Sequence, residues 1–376
     1  MSACAAGFAF SANFTNHSPM LGVLRSGFAL SQTQAGLLTT AVFLTHAMMQ
    51  VPGGRLADRY GALRVIVLAL VWVALANAAL GLAATFAQLL LFKAIAGLGT
   101  GACFAAGARY IVACFRGRAL HLAQGFYGGS IFLGAGFVIF AVPQLLDLVG
   151  WRGAFLCCAV LALMVALGCH WFAAQPEPAH HLPARLAELL THRELWLLGV
   201  VQMASFGLNM VVGTWITALV KTSLGMPLKA AGLFGSVVLL AGIFTRPLGG
   251  WLAHHMRLRP LAGASLLLNA LGCALLAASH SAALVFAAIL MLALGCGAPY
   301  AACFNRAAAL FPGRAGAAMG LVNMIGIAAI LAGAPATGWL ADATGAFRSS
   351  FLGLAAFTLL AAAAVPFLPE EPLQSP

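Results

Sequence analysis

Twelve apolar runs of about 20 residues, broken by short polar stretches, constrain this chain more than any other feature of it. They lie near 3–24, 33–53, 63–84, 87–114, 121–143, 152–173, 195–219, 229–252, 260–279, 282–310, 315–340 and 347–368. The interior of a bilayer offers the backbone no water, so a segment that crosses it must be a helix or part of a closed barrel. These runs show no polar–apolar alternation, which leaves helices. Composition agrees. Only 7% of the 376 residues are charged, against roughly 25% in a soluble domain, and mean hydropathy is +1.00. The sequence predicts an all-α membrane protein of twelve transmembrane helices.

The formal charge of +11 would suit a nucleic-acid binder, but the arginines are scattered singly between apolar spans, where they set topology. No nucleic-acid partner is expected; the partner is the lipid bilayer. The nine cysteines, including Cys157-Cys158, lie almost wholly inside apolar runs with no metal-ligand spacing, so they read as small packing residues. No HExxH, Gly-x-Ser-x-Gly, phosphate loop or carboxylate pair is present, and neither an enzyme nor a cofactor is expected. The amino terminus has no basic n-region or cleavage site, so no removable signal segment is expected.

The longest polar interruption, 174–193, contains Pro176, Pro178, Pro183 and three histidines. It divides the chain into a six-helix bundle over 1–173, a cytoplasmic linker over 174–193, and a second six-helix bundle over 194–376. With both termini cytoplasmic, the inside loops hold ten Lys and Arg and the outside loops five, which favours that orientation in a bacterial-type inner membrane. The two halves are related. Gly53-Gly54-Arg55-Leu56-Ala57-Asp58-Arg59-Tyr60-Gly61 returns 196 positions later as Gly249-Gly250-Trp251-Leu252-Ala253-His254-His255. At the same offset Asn13 falls on Asn209, Gln50 on Arg246, and Gly99 on Gly295. Internal repeats of this kind mark transporter folds, with the substrate site between the repeats near the midplane.

These residues resemble the major facilitator superfamily over essentially the whole chain. Gly54-x-Leu56-Ala57-Asp58-Arg59-x-Gly61 followed by Arg64 is similar to that family's signature loop between helices 2 and 3, and Lys93-x-x-x-Gly97-x-Gly99 to its helix-4 motif. The resemblance implies the major facilitator fold, two pseudo-symmetric six-helix bundles. It also implies a conformational latch formed by Gly54, Asp58, Arg59, Gly61 and Arg64. The stretch Arg246-Pro247-Leu248-Gly249-Gly250 resembles the nitrate/nitrite porter group, in which an arginine on helix 2 and another on helix 8 hold the anion. Here Gln50 stands at the helix-2 position, and Gly125-Phe126-Tyr127-Gly128-Gly129 lacks that group's asparagine. Both departures argue against nitrate itself.

Within the spans lie four bases, Lys93, Arg109, Arg246 and Arg306, while all eight carboxylates fall in loops or at span ends. An intramembrane charge costs at least about 2.5–3.5 kcal/mol and marks a functional candidate. Arg246 is too deep to reach the interface easily, and no carboxylate in a span can pair with it. An anionic solute would supply the missing charge. Arg109 and Arg306 lie closer to the cytoplasmic end, open both to snorkelling or gating and to substrate contact. His46 and Gln50, four apart on one helix face, with Asn13, His17 and Asn209, complete the candidate lining. His17 and His46 are also the titratable groups available if protons are coupled. The expectation is a monomeric secondary transporter moving a small anion. An efflux carrier for amphiphilic compounds and a non-transporting sensor remain alternatives.

Overall fold

The computed structural model describes residues 1–376 apart from 116, 175–185, 279–280, 312–314 and 370–376, and apart from the side chains at 58, 117, 118, 120–122, 186, 187, 254 and 315–317. The first half holds six helices. α1 runs as Ser2–Thr15, a 3-10 turn Ser18–Met20, and Leu21–Phe28. Then follow α2 (Gln32–Tyr60), α3 (Ala62–Gly81) and α4 (Phe86–Cys114). α5 (117–149) and α6 (151–172) are separated only by Gly150, whose φ of 64° and ψ of 178° turn the chain back. The second half holds α7 (Arg193–Leu224), α8 (Leu228–Leu240 and Gly242–His255), α9 (Leu258–Ala278), α10 (Ala282–Gly297 and Pro299–Leu310), α11 (Ala315–Thr344) and α12 (Phe347–Ala362). Among the described residues the helices number twelve, an even count that puts the start of α1 and the end of α12 on one side, called here the termini side. Most of the expected linker, 174–193, lies outside the described residues; its end forms a short helix, Leu186–Thr191.

One expectation needs correction. The polar stretch 53–60 is not a loop: α2 continues as helix through Tyr60, beyond the expected end at 53. Arg55, Leu56 and Ala57 are good helix formers, and a polar helical turn is tolerated once it leaves the hydrocarbon. The reversal is made by Gly61 alone, at φ 91°, a region open to glycine at no steric cost. α8 likewise runs on to His255.

The sequence repeat is also a packing repeat. A β-carbon on Gly53 would stand 2.6 Å from Ala102 Cα, and one on Gly249 would stand 2.6 Å from Ala298 Cα. Gly99 faces Ala69 O at 2.9 Å, and Gly295 faces Ser265 O at 2.6 Å by the same measure. Each partner is displaced by the same 196 positions. These glycines let backbones meet where a methyl group would not fit, which is how membrane helices pack without a hydrophobic drive between them. Other glycines do not. Gly54 has nothing within 4 Å of its β-position and neither does Gly320, while Gly125 and Gly129 make only ordinary contacts at 3.9 and 3.6 Å.

The two halves meet along α2 with α11 and α5 with α8. Gly36 in α2 abuts Ala334 O and Pro335 of α11, and Gly232 in α8 abuts Ile139 O and Pro143 of α5. Polar bonds join them as well. Thr40 Oγ1 donates to Leu331 O at 3.0 Å, and Thr39 Oγ1 meets Thr214 Oγ1 at 3.3 Å. These contacts close the face opposite the termini.

Candidate functional site

The candidate residues sit beside irregular turns. Arg246 precedes Pro247 in α8, in the segment that restarts after Ala241. Proline removes a backbone donor and crowds the carbonyl four residues back, so helices bend there. Tyr300 follows Pro299, at the break in α10. Phe206 lies in a π-helical turn, Met203–Gly207, of α7, a distortion frequent at functional sites. Gln50 is two residues before Pro52 in α2. In α1, Asn13 and His17 flank the junction with the 3-10 turn. Discontinuous helices of this kind form the central sites of transporters.

Arg246 is 1% exposed. Its Cζ lies 3.9 Å from the Phe132 ring centroid and 3.8 Å from that of Tyr300, with Phe206 at 6.0 Å. Nη1 donates to Gly128 O at 2.8 Å, while Nε has no partner. Phe132 and Gly128 belong to α5, so the guanidinium of the second half is clasped by the first. The contacts explain how a bare cation survives burial: aromatic faces attract it and a carbonyl takes one donor. They leave a donor edge unused. Close by, Tyr300 Oη, set beside Gln124, is also unpartnered. Gly128 admits this arrangement because a β-carbon there would collide with Arg246 Nη1 at 2.7 Å.

Gln50 and Asn209 are buried with neither amide atom bonded, and Asn13 Nδ2 donates to Ala9 O at 2.8 Å while its Oδ1 is unpartnered. Buried polar groups ordinarily find partners, so this set has unused capacity for water or solute. Gln50 and Arg246, mates in the repeat, make no hydrogen bond to one another.

The other candidates have contacts of their own. His46 Nδ1 meets Thr100 Oγ1 at 2.9 Å inside a ring of Phe10, Phe14, Phe43 and Phe104, with centroids 5.7 to 6.4 Å away. His17 Nε2 bonds Thr39 Oγ1 at 2.8 Å, near the seam with α7. Arg306 forms a two-pronged ion pair with Glu194 of α7, Nε with Oε1 and Nη2 with Oε2. Arg109 is half-buried in α4. In the signature stretch, Arg59 covers the Tyr60 ring at 5.2 Å and Arg64 is exposed; the Asp58 side chain and that of His254 lie outside the described residues.

Sequence reasoning missed Phe132, Tyr300 and Gly128, because apolar, aromatic and glycine positions carry no mark of a cation's company. It also named no partner for Lys93. Lys93 is wholly buried, donating to Asn13 O at 3.1 Å and to Asn16 Oδ1; Asn16 in turn donates to Asn77 Oδ1 at 2.8 Å. The signal was there: Asn16 and Asn77 are amides in otherwise apolar spans.

A twelve-helix bundle built from two repeats, with broken helices and a buried arginine at the seam, defines a membrane transporter. The profile of the Major Facilitator Superfamily matches residues 3–261 and 195–376, and the chain belongs to that family. It is 24% identical over 262 residues to a probable sulfoacetate transporter of Cupriavidus necator, a match covering 64% of this chain and 61% of that relative. It thus spans about three-fifths of that relative's length. It is 23% identical over 348 residues to a probable nitrate transporter of Staphylococcus haemolyticus, covering 92% of this chain and 89% of the relative. Its fold matches an inward-facing and occupied structure of a bacterial homolog to the human lysosomal transporter Spinster with a TM-score of 0.81, at 19% identity over 98% of this chain and 95% of the other.

Proposed function

We propose that this chain is a secondary transporter that moves a small oxyanion, a carboxylate or sulfonate, past Arg246 by alternating access. The observation that carries the reading is Arg246 itself, buried and held by rings and one carbonyl, with a donor edge unused. Arginine's planar fork suits a carboxylate or sulfonate edge-on. With both faces of the guanidinium covered, the edge is what remains for an anion. Tyr300 Oη offers a neutral bond beside it, and Gln50, Asn13 and Asn209 carry further unpartnered amide atoms. The substrates named for the two relatives, sulfoacetate and nitrate, are oxyanions. On this reading the termini face the cytoplasm, the protein works as a monomer, and the closed face is the outer one. Arg306, paired with Glu194, has a structural part rather than a substrate contact. The signature stretch would act as the inner latch through Asp58, Arg59, Gly61 and Arg64. A thermal-shift screen against small anions tests the binding step. Oxyanions should raise the apparent melting temperature of wild type by mass action and leave Arg246→Ala unmoved. Equal shifts in both would remove Arg246 from the site.

A further inference from the structure

Among the described residues two carboxylates, Asp342 and Asp147, stand at the closed face, and both bridge the halves. Asp342, at the end of α11, reaches the start of α2: Oδ1 accepts from Gln32 N at 3.0 Å, and Oδ2 accepts from Thr33 N at 2.9 Å and Thr33 Oγ1 at 2.7 Å. Asp147, at the end of α5, pairs with Lys229 at the start of α8. Lys229 follows Thr33 by the repeat offset of 196, and α5 and α11 occupy equivalent places in the two halves. The contacts are thus two versions of one joint, each made by an acid at one helix's end and the first turn of a helix in the other half. Gly36 and Gly232, also 196 apart, make the backbone contacts just inside each joint.

The two versions differ in chemistry. The first turn of α2 leaves four amides without helical partners. Ser31 N is met by Gln34 Oε1 and Gln34 N by Ser31 Oγ, within the helix's own capping box. The remaining two, Gln32 N and Thr33 N, are met by Asp342 from the other half. A carboxylate at a helix amino terminus also gains from the helix dipole. The Lys229–Asp147 joint is a bond between two exposed side chains, 51% and 68% accessible. Exposed pairs contribute little and are screened by salt.

We infer that Asp342 is the principal outer latch: half of the amino-terminal cap of α2 is supplied across the seam, so opening the outer face uncaps that helix. The Asp147–Lys229 joint is a weak, salt-sensitive counterpart. This rests on the alternating-access reading. The latch holds the carrier closed to the outside until the halves rock, independently of what Arg246 binds.

The test is a distance distribution between spin labels at Leu82 and Leu284, both exposed at the closed face on opposite halves, in a background with the exposed Cys114 and Cys157 replaced. Asp342→Ala should raise the long-distance, outward-open population about fivefold relative to wild type, the usual effect of losing a helix cap. Lys229→Ala should change it less than twofold, and less again in high salt. Ser31→Ala removes α2's own cap without touching the seam, and should lower thermal stability without shifting the distances. If Asp342→Ala matches wild type, or if Ser31→Ala shifts the population equally, the latch is refuted while alternating access stands. If no variant, nor wild type with any anion, ever populates a longer distance, alternating access fails and the latch falls with it.

Discussion

Adjacent glycines in the signature stretch should respond oppositely to the same substitution. At Gly53 an added methyl group would stand 2.6 Å from Ala102 Cα, a backbone atom that cannot yield without moving α4. At Gly54 it would meet nothing within 4 Å. Both positions are helical, so alanine gains roughly 0.5–1 kcal/mol of helix stability at each. Overpacking a tight contact costs about 1–3 kcal/mol. Gly53→Ala should therefore destabilise by about 1–2 kcal/mol, and Gly54→Ala should be neutral or stabilising by up to about 1 kcal/mol. The second copy should repeat the pattern: Gly249 faces Ala298 Cα at 2.6 Å, while Gly250 meets only Ala301 Cβ at 3.7 Å. The assay is unfolding of the purified protein in mixed micelles with increasing denaturing detergent, followed by tryptophan fluorescence. Equal effects at Gly53 and Gly54, or a neutral Gly53→Ala, would refute the claim that the α2–α4 seam needs glycine at that position. Unchanged transport by Gly54→Ala would further remove Gly54 from the latch that family resemblance implies.

The ion pair between Arg306 and Glu194 should show a coupling of about 1–3 kcal/mol in a double-mutant cycle on stability, with anion affinity of Glu194→Gln unchanged; an affinity loss would return Arg306 to the binding site. Tyr300→Phe keeps the ring over Arg246 and removes only an unpartnered hydroxyl. Stability should hold while the anion Kd rises about fivefold, the loss of one hydrogen bond; an unchanged Kd in titration calorimetry would exclude that contact. Asn16→Ala strips one of two acceptors from the buried Lys93 and should cost about 1.5–3 kcal/mol, the loss of a hydrogen bond to a charged group. A small loss in the same unfolding assay would show that water replaces the amide.

Much of this architecture could be read in the residues. Span length and the absence of alternation dictated helices, and the offset between Gly53 and Gly249 proved to be the offset of their packing partners, Ala102 and Ala298. Charge made Arg246 legible, since so costly a residue stands out in an apolar span. Its neighbours were not legible. Phe132 and Tyr300 come from helices whose approach depends on the whole bundle, and the donation to Gly128 uses a backbone carbonyl that every residue possesses. His46 shows the reverse error of periodicity: it shares a helix face with Gln50, yet four aromatic rings enclose it. Asp342 looked like a loop charge because its partners are two amides some 310 positions away.

The central claim is that Arg246 carries the anion. Its most direct test is counterflow in sealed proteoliposomes, with a small carboxylate or sulfonate loaded inside and a radiolabelled trace outside. The account predicts rapid exchange by wild type, a reduced rate in Arg59→Ala of the inner latch, and none above empty liposomes in Arg246→Ala, with all three proteins monodisperse and equally inserted. Wild-type exchange by Arg246→Ala would contradict it.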